Sequence, residues 1–533
     1  MPHMPDAGSN PRSADPIATS TAQGCGVPRP ASPGAAIVSI DARRWWVLAV
    51  VTLAQLLVVA NASVLHFGMP RIRQDPGLGA DDVRWADRAY LLAFASLVLV
   101  GGRLADFARR RVVVPAAGLL GLVLASIVAG AAQDQSTLLV GRVLQGACGA
   151  LIVPAALSIL STTFTDRTER AWALGVHGAT AGAGAGLWVL LGGRVVEDVD
   201  WRWCLYGTGI GAACCAAGLV LVFAGRPAPA PPGGRGFDLS GALIAPAGLC
   251  LVLYAFVDAE DNGRFGGTAW LFVATGVAVL AGVRRIGPVV REPLLPKRIP
   301  LDRDRGAALL GLFAGAVSTT AVFAFVPSYL QLALDYRPSQ IGPALLPMIV
   351  PLLLVAPLAA GVLVRRYGAK TVVPLGCGLS LAGFVFLYLL GPNSSYGDDV
   401  LPALVLIGVG SGLVLGPCVS AAGHGIRSAD SGAAAGAVVT TQALGITLGI
   451  STLNLALAHP LSLPNRITSY PYDGNAAEIT LLESYPTAFW WTGVLLALVL
   501  AGTARLFRPL SRAGEPDADE PHSAGPPPAK PHP

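Results

Sequence analysis

Fourteen stretches of this chain are apolar over about the length needed to cross a bilayer, and this limits the fold more than any motif does. They fall near 45–67, 86–105, 112–132, 137–161, 171–195 and 203–224, then 239–257 and 268–286, then 306–330, 341–364, 371–391, 400–422, 432–457 and 487–507. A hydrocarbon core of ~30 Å takes about 20 residues of helix to span. Inside lipid, only helices and closed barrels satisfy their own backbone polar groups. These runs are continuous, without the alternation of a barrel strand, so the expected fold class is all-α and polytopic. Of the 533 residues, 53% are hydrophobic and only 13% charged, against about 25% charged in a soluble domain. The 64 glycines suit helices packed closely in lipid.

Loop charge sets the expected orientation. Arg109-Arg110-Arg111, the stretch from Arg284 to Arg305, and Arg365-Arg366-Lys370 alternate with acidic connections such as Asp258-Ala259-Glu260-Asp261 and Asp398-Asp399. Positive loops mark the cytoplasmic side, and an even number of spans leaves both termini there. The expected location is the plasma membrane. Residues 1–42 and 509–533 are rich in proline and small or polar residues and read as disordered tails. No apolar signal-peptide core is visible in the first. A net charge of +5 spread over short clusters argues against nucleic acid as a partner. The cysteines lie mostly in apolar runs (Cys148, Cys204, Cys214, Cys215, Cys250, Cys377, Cys418) without metal spacing, and read as small buried hydrophobes. No P-loop, metal-ligand set or nucleophile–base pair is apparent, so neither an enzyme nor ATP-driven transport is expected. No cofactor is expected either.

Arg142 stands inside the apolar run, in Gly141-Arg142-Val143-Leu144-Gln145-Gly146-Ala147-Cys148-Gly149-Ala150. A guanidinium in hydrocarbon costs roughly 2.5–3.5 kcal/mol on insertion scales. It is expected to face a wet cavity or a fixed polar partner, with Gln145 on the same face at i+3. Snorkelling to the interface is the plainer reading, disfavoured by the small residues after Arg142.

Two loops repeat. Gly102-Arg103-Leu104-Ala105-Asp106-Phe107-Ala108-Arg109-Arg110-Arg111 comes after the second run, and Gly361-Val362-Leu363-Val364-Arg365-Arg366-Tyr367-Gly368-Ala369-Lys370 after the tenth. Matching loops in two halves are what a transporter built from repeats presents. The expected organisation is a six-helix bundle over 43–226, two inserted spans within 227–290, and a second six-helix bundle over 291–508.

These residues resemble the major facilitator superfamily, in particular its fourteen-helix drug:proton antiporter branch. The Gly102–Arg111 loop is similar to the superfamily's loop between helices 2 and 3, matching at Asp106 but reading Phe107 and Arg109 where Arg and Gly are usual. Arg142, Gln145, Gly146 and Gly149 match the helix-4 motif. Trp201-Arg202-Trp203, Arg291-Glu292-Pro293-Leu294-Leu295 and Pro327-Ser328-Tyr329-Leu330-Gln331 resemble further branch signatures. The resemblance implies a secondary transporter working by alternating access and exporting a hydrophobic or amphipathic small molecule as a monomer, with protons as a candidate coupling ion. It implies a substrate or coupling cavity around Arg142, Gln145, Asn61 and His66. It also implies a conformational switch in the loop of Gly102, Arg103, Asp106, Arg110 and Arg111.

Two departures bear on coupling. Asn61 stands where the pattern usually has aspartate, and helix 5 reads Trp188-Val189 where a Gly-Pro pair is usual. The stripe Gly178, Gly182 and Gly186 still permits tight helix packing. Asp87, beside Arg88, reads as an interfacial polar pair, so no carboxylate is expected well inside a span. His66 and His177 remain as groups able to exchange protons near neutral pH, with His66 the candidate replacement for the missing acid. A facilitator without proton coupling, or a non-transporting receptor or scaffold that kept the fold, stays open.

Overall fold

The computed structural model describes residues 33–62, 80–108, 111–198, 200–224, 238–286, 294–296, 299, 301–391, 394–426, 430–458 and 476–508. Fourteen long helices fill them: α1 (Pro33–Ala62), α2 (Ala80–Phe107), α3 (Val113–Gly130), α4 (Gln135–Thr163), α5 (Arg167–Asp198), α6 (Arg202–Phe223), α7 (Leu239–Asp261), α8 (Gly267–Ile286), α9 (Arg303–Leu334), α10 (Pro338–Leu358), α11 (Ala369–Tyr388), α12 (Leu401–Ala422), α13 (Ser431–Ala458) and α14 (Ala476–Leu506). Twelve spans among the described residues are long and apolar enough to cross a membrane, and α8 adds a shorter apolar stretch, Gly267–Val283. Side chains such as Leu124, Leu221, Leu243, Leu271 and Leu498 stand exposed on the outside. In water such a surface would drive association; against acyl chains it is at home.

The helices outrun the apolar stretches that announce them. α1 already starts at Pro33, inside the stretch read as a disordered tail, and α2 starts at Ala80 rather than near 86. Polar caps explain several other helix ends. Asp134 accepts from the Thr137 N–H at 2.8 Å, Asp238 from Gly241 at 2.8 Å and Asp302 from Arg305 at 3.0 Å. α10 carries Pro343, Pro347, Pro351 and Pro357 in its interior. Each removes a backbone donor, and just past Pro357 the helix widens over Ala359–Leu363 before a last turn, Val364–Tyr367.

α1–α6 and α9–α14 form two six-helix bundles, with α7 and α8 as an inserted antiparallel pair. The bundles meet where α2 and α4 lie against α13, and where α5 lies against α10 and α12. α7 fills the seam beside the first of these contacts, Leu253 packing with Ala95 of α2 and Ala443 of α13. At its far end, Arg88 of α2 donates to Asp261 at 2.7 and 3.0 Å and lies 3.1 Å from Glu260, while Asn454 of α13 donates to Glu260 at 3.0 Å. The α2–α3, α4–α5, α10–α11 and α12–α13 connections share one face. With Arg111, Arg167, Arg365 and Lys370 at these connections, it is the basic face of the molecule.

Candidate functional site

Arg142 lies seven residues into α4, ~10 Å along its axis, and its side chain is 0% exposed. Small neighbours on the same helix make that position reachable. A Cβ on Gly146 would overlap the Tyr90 carbonyl of α2, and one on Gly149 would press Val58 of α1. With α1, α2 and α4 so close, Arg142 donates to the Asn61 carbonyl at 3.0 Å, to Asn61 Oδ1 at 3.3 Å, to Gln145 Oε1 at 3.1 Å and to Asp87 Oδ1 at 2.9 Å. The guanidinium sits 4.5 Å from the centre of the Tyr90 ring, a cation–π contact that burial strengthens. Tyr90 in turn donates to the Val58 carbonyl at 2.7 Å, and Gln145 donates to Ser126 of α3 at 3.0 Å.

Asp87 therefore differs from the sequence expectation. It is 5% exposed and salt-bridged to Arg142, whereas Arg88 points away to Glu260 and Asp261 of α7. Successive residues on a helix do not face each other, so adjacency in sequence was misleading. α2 begins at Ala80, so Asp87 lies two turns into the helix, where its carboxylate is buried against Arg142. Among the described residues, polar groups from α1, α2 and α4 surround the fully buried Arg142. His66 lies outside the described residues. His177 is buried on α5; its carbonyl accepts from Gln55 and Thr180 at 2.8 Å each, and neither ring nitrogen has a hydrogen-bond partner among the described residues.

The switch-loop residues gather on the basic face, and they reach across to the other bundle. Asp106, at the end of α2, accepts from the backbone N–H of Gly432 at 2.7 Å and of Ala433 at 2.9 Å. It thus caps α13, using the positive end of that helix's dipole. Arg103 Nη1 lies 3.5 Å from Asp106 and 3.6 Å from Asp430. Arg111 donates to Ser431 Oγ at 2.9 Å, and Ser431 also shares a hydrogen bond with Ser158 of α4 at 2.9 Å. Gly102 and Gly432 let the backbones touch, for a Cβ on either would overlap the other's carbonyl oxygen. Arg110 lies outside the described residues. The second-half loop makes the counterpart contact, Arg365 donating to Thr168 at the start of α5 at 2.8 Å. Asp166 caps that helix through the N–H groups of Thr168 and Glu169. These bonds, with Arg365 nearby, hold its carboxyl below the usual range.

The α5 glycine stripe also faces the other bundle. Gly178 lies against Leu415 and Val419 of α12, Gly182 against Leu415 and Leu352, and Gly186 against Ile349 of α10 and Phe323 of α9. α5 itself runs unbroken through Trp188-Val189 to Asp198; those two side chains lie outside the described residues. A Cβ on Gly182 would come within 2.8 Å of Leu415. Gly182→Leu is accordingly expected to overpack this interface by about 1–3 kcal/mol. The check is a lowered melting temperature together with weaker cross-linking between α5 and α12.

The partners of these loops were not marked in the sequence. Ser431-Gly432-Ala433 carries no motif, and only a helix start directly after Asp430 hints that α13 needs a cap. Asp87 could have been found from the helical period, which places it about 100° from Arg88.

Comparison with known proteins bears on what this arrangement belongs to. The puromycin resistance protein of Streptomyces alboniger is 37% identical over 419 residues, covering 78% of this chain and 82% of that protein. The cephamycin export protein of Amycolatopsis lactamdurans is 33% identical over 405 residues, covering 75% and 82%. Among solved structures, the human organic anion transporter MFSD10 superposes with a TM-score of 0.54 at 15% identity, covering 85% of this chain and 99% of that one. This likeness shows the fold alone. The family model described as Major Facilitator Superfamily matches residues 51–450, and the chain belongs to that superfamily.

Proposed function

We propose that this chain is a secondary transporter that exports an amphipathic small molecule by alternating access, coupled to protons through Asp87. The buried Arg142–Asp87 ion pair, 2.9 Å long, carries the reading. A charge pair taken out of water contributes little net stability, and removing one partner is costly. A chain that keeps such a pair inside a span has a use for a group that can change charge there. Protonation of Asp87 would cancel the attraction and leave Arg142 with Asn61, Gln145 and Tyr90. α2 and α4 could then shift relative to each other, and Asp106 sits at the other end of the same α2. The basic face is proposed as cytoplasmic, with both termini on that side and the two bundles spanning 43–226 and 291–508. In that orientation the Asp106–α13 and Arg365–α5 contacts hold the cytoplasmic side closed.

The two relatives compared above are named for puromycin resistance and cephamycin export, so the proposed substrates are antibiotics or similar secreted metabolites. The test is efflux from proteoliposomes under an imposed pH gradient, with puromycin, a cephamycin and a panel of amphipathic cations and neutral compounds. Gradient-dependent movement is expected in the native chain and its loss in Asp87→Asn. Movement that ignores the gradient in both would make the chain a facilitator and overturn the role of Asp87. Replacing His66 with alanine is expected to leave the pH profile unchanged.

A further inference from the structure

On the basic face, between α4, α5, α12 and α13, lies a cavity of about 300 Å³ that the coupling pair does not use. Its lining joins Leu157, Leu174 and Val438 to a single guanidinium, that of Arg170. Arg170 does not act alone. Its charge, with those of Arg167 and of Arg305 of α9, acts on the imidazole of His424, in the loop after α12. Arg167 Nη2 lies 3.4 Å from His424 Nε2, and Arg305 donates to the His424 carbonyl at 3.1 Å. Burial first, and then these three cations, push the His424 pKa down.

Nearby acids are engaged elsewhere. Glu169 pairs with Arg44 at 2.7 Å, Asp166 caps α5, Asp302 caps α9, and Asp106 and Asp430 surround Arg103. Among the described residues, neither Arg167 nor Arg170 has a carboxylate partner. The cluster is assembled from both bundles, so closing the basic face brings like charges together, a cost that a bound anion would remove. Guanidinium forks match phosphate oxygens in geometry, and the cavity leaves room for an apolar portion beside Leu157 and Leu174.

We infer that this cavity binds a phosphate-bearing anion through Arg170, with Arg167 and Arg305 at its rim, and that occupancy stabilises the closed basic face. Ser431, which lines the same cavity and accepts from Arg111, ties the site to the inter-bundle contact. A ligand that binds only the closed arrangement shifts the population toward it. The phosphate could come from solution or from a phospholipid headgroup.

The test uses the full chain in nanodiscs at constant ionic strength, with melting temperature as the readout. One arm adds inorganic phosphate to phosphatidylcholine discs, with chloride as control; the other adds phosphatidylglycerol to the disc lipid. Stabilisation is expected in the native chain and in Arg366→Gln, an exposed basic residue outside the cavity. In Arg170→Gln and Arg167→Gln the apparent affinity is expected to fall at least about tenfold, the loss of one charge-assisted contact. Should Arg170→Gln fail to give monodisperse protein, Arg167→Gln carries the comparison. A response to phosphate identifies a free anion, and a response only to phosphatidylglycerol identifies a lipid. Equal responses in all variants, or none to either probe, would overturn the inference.

Discussion

Replacing Asp87 with alanine is expected to lower stability by about 3–5 kcal/mol, because it leaves a buried guanidinium without its counter-charge. Arg142 would retain only neutral oxygens, the Asn61 carbonyl and the side chains of Asn61 and Gln145. Gradient-driven efflux should vanish with it. The double variant Asp87→Ala, Arg142→Met removes both charges and is expected to melt well above the Asp87→Ala protein, since groups in contact do not contribute additively. The measurement is melting temperature across the four proteins of the cycle, with efflux alongside. Additive losses would mean that the two side chains do not form an energetic pair.

The second large effect is expected at Asp106. Its carboxylate accepts two backbone N–H bonds from α13 and faces Arg103 and Arg111. Hydrogen bonds to a charged group contribute roughly 1.5–3 kcal/mol each. Asp106→Ala should therefore release the closed basic face by a few kcal/mol, about a hundredfold change in population for each 2.7 kcal/mol. Labelling of a cysteine introduced at Ala434 should become much faster, while Asp106→Glu, which keeps the charge, should move it less. Unchanged labelling in Asp106→Ala would show that the glycine contacts alone hold α13 in place.

Much of this architecture was legible in the chain because lipid imposes one rule on every span. Each apolar run had to become a helix, and among the described residues each is helical, including the inserted pair near 239–257 and 268–286. The pairing of charges was harder to read. Arg142 announced a site, but its partner lies 55 residues away on another helix, next to an arginine that diverts attention. Loop residues Gly102, Asp106 and Arg111 were visible as a motif, yet the partner of Asp106 is a plain helix start 326 residues later. Long-range partners leave no periodic trace along the sequence. Packing of α2 against α4 brings Asp87 to Arg142, and packing of α2 against α13 brings Asp106 to Gly432.

The extra hairpin has a mechanical consequence. At the end remote from Asp106, α7 is held to α2 by the contacts of Arg88 with Glu260 and Asp261 and to α13 by the Asn454 bond, in addition to the packing of Leu253 against both helices. Parting of the bundles on that side would have to break the Asn454 bond, and the charged contacts of Arg88 would then favour the hairpin staying with α2.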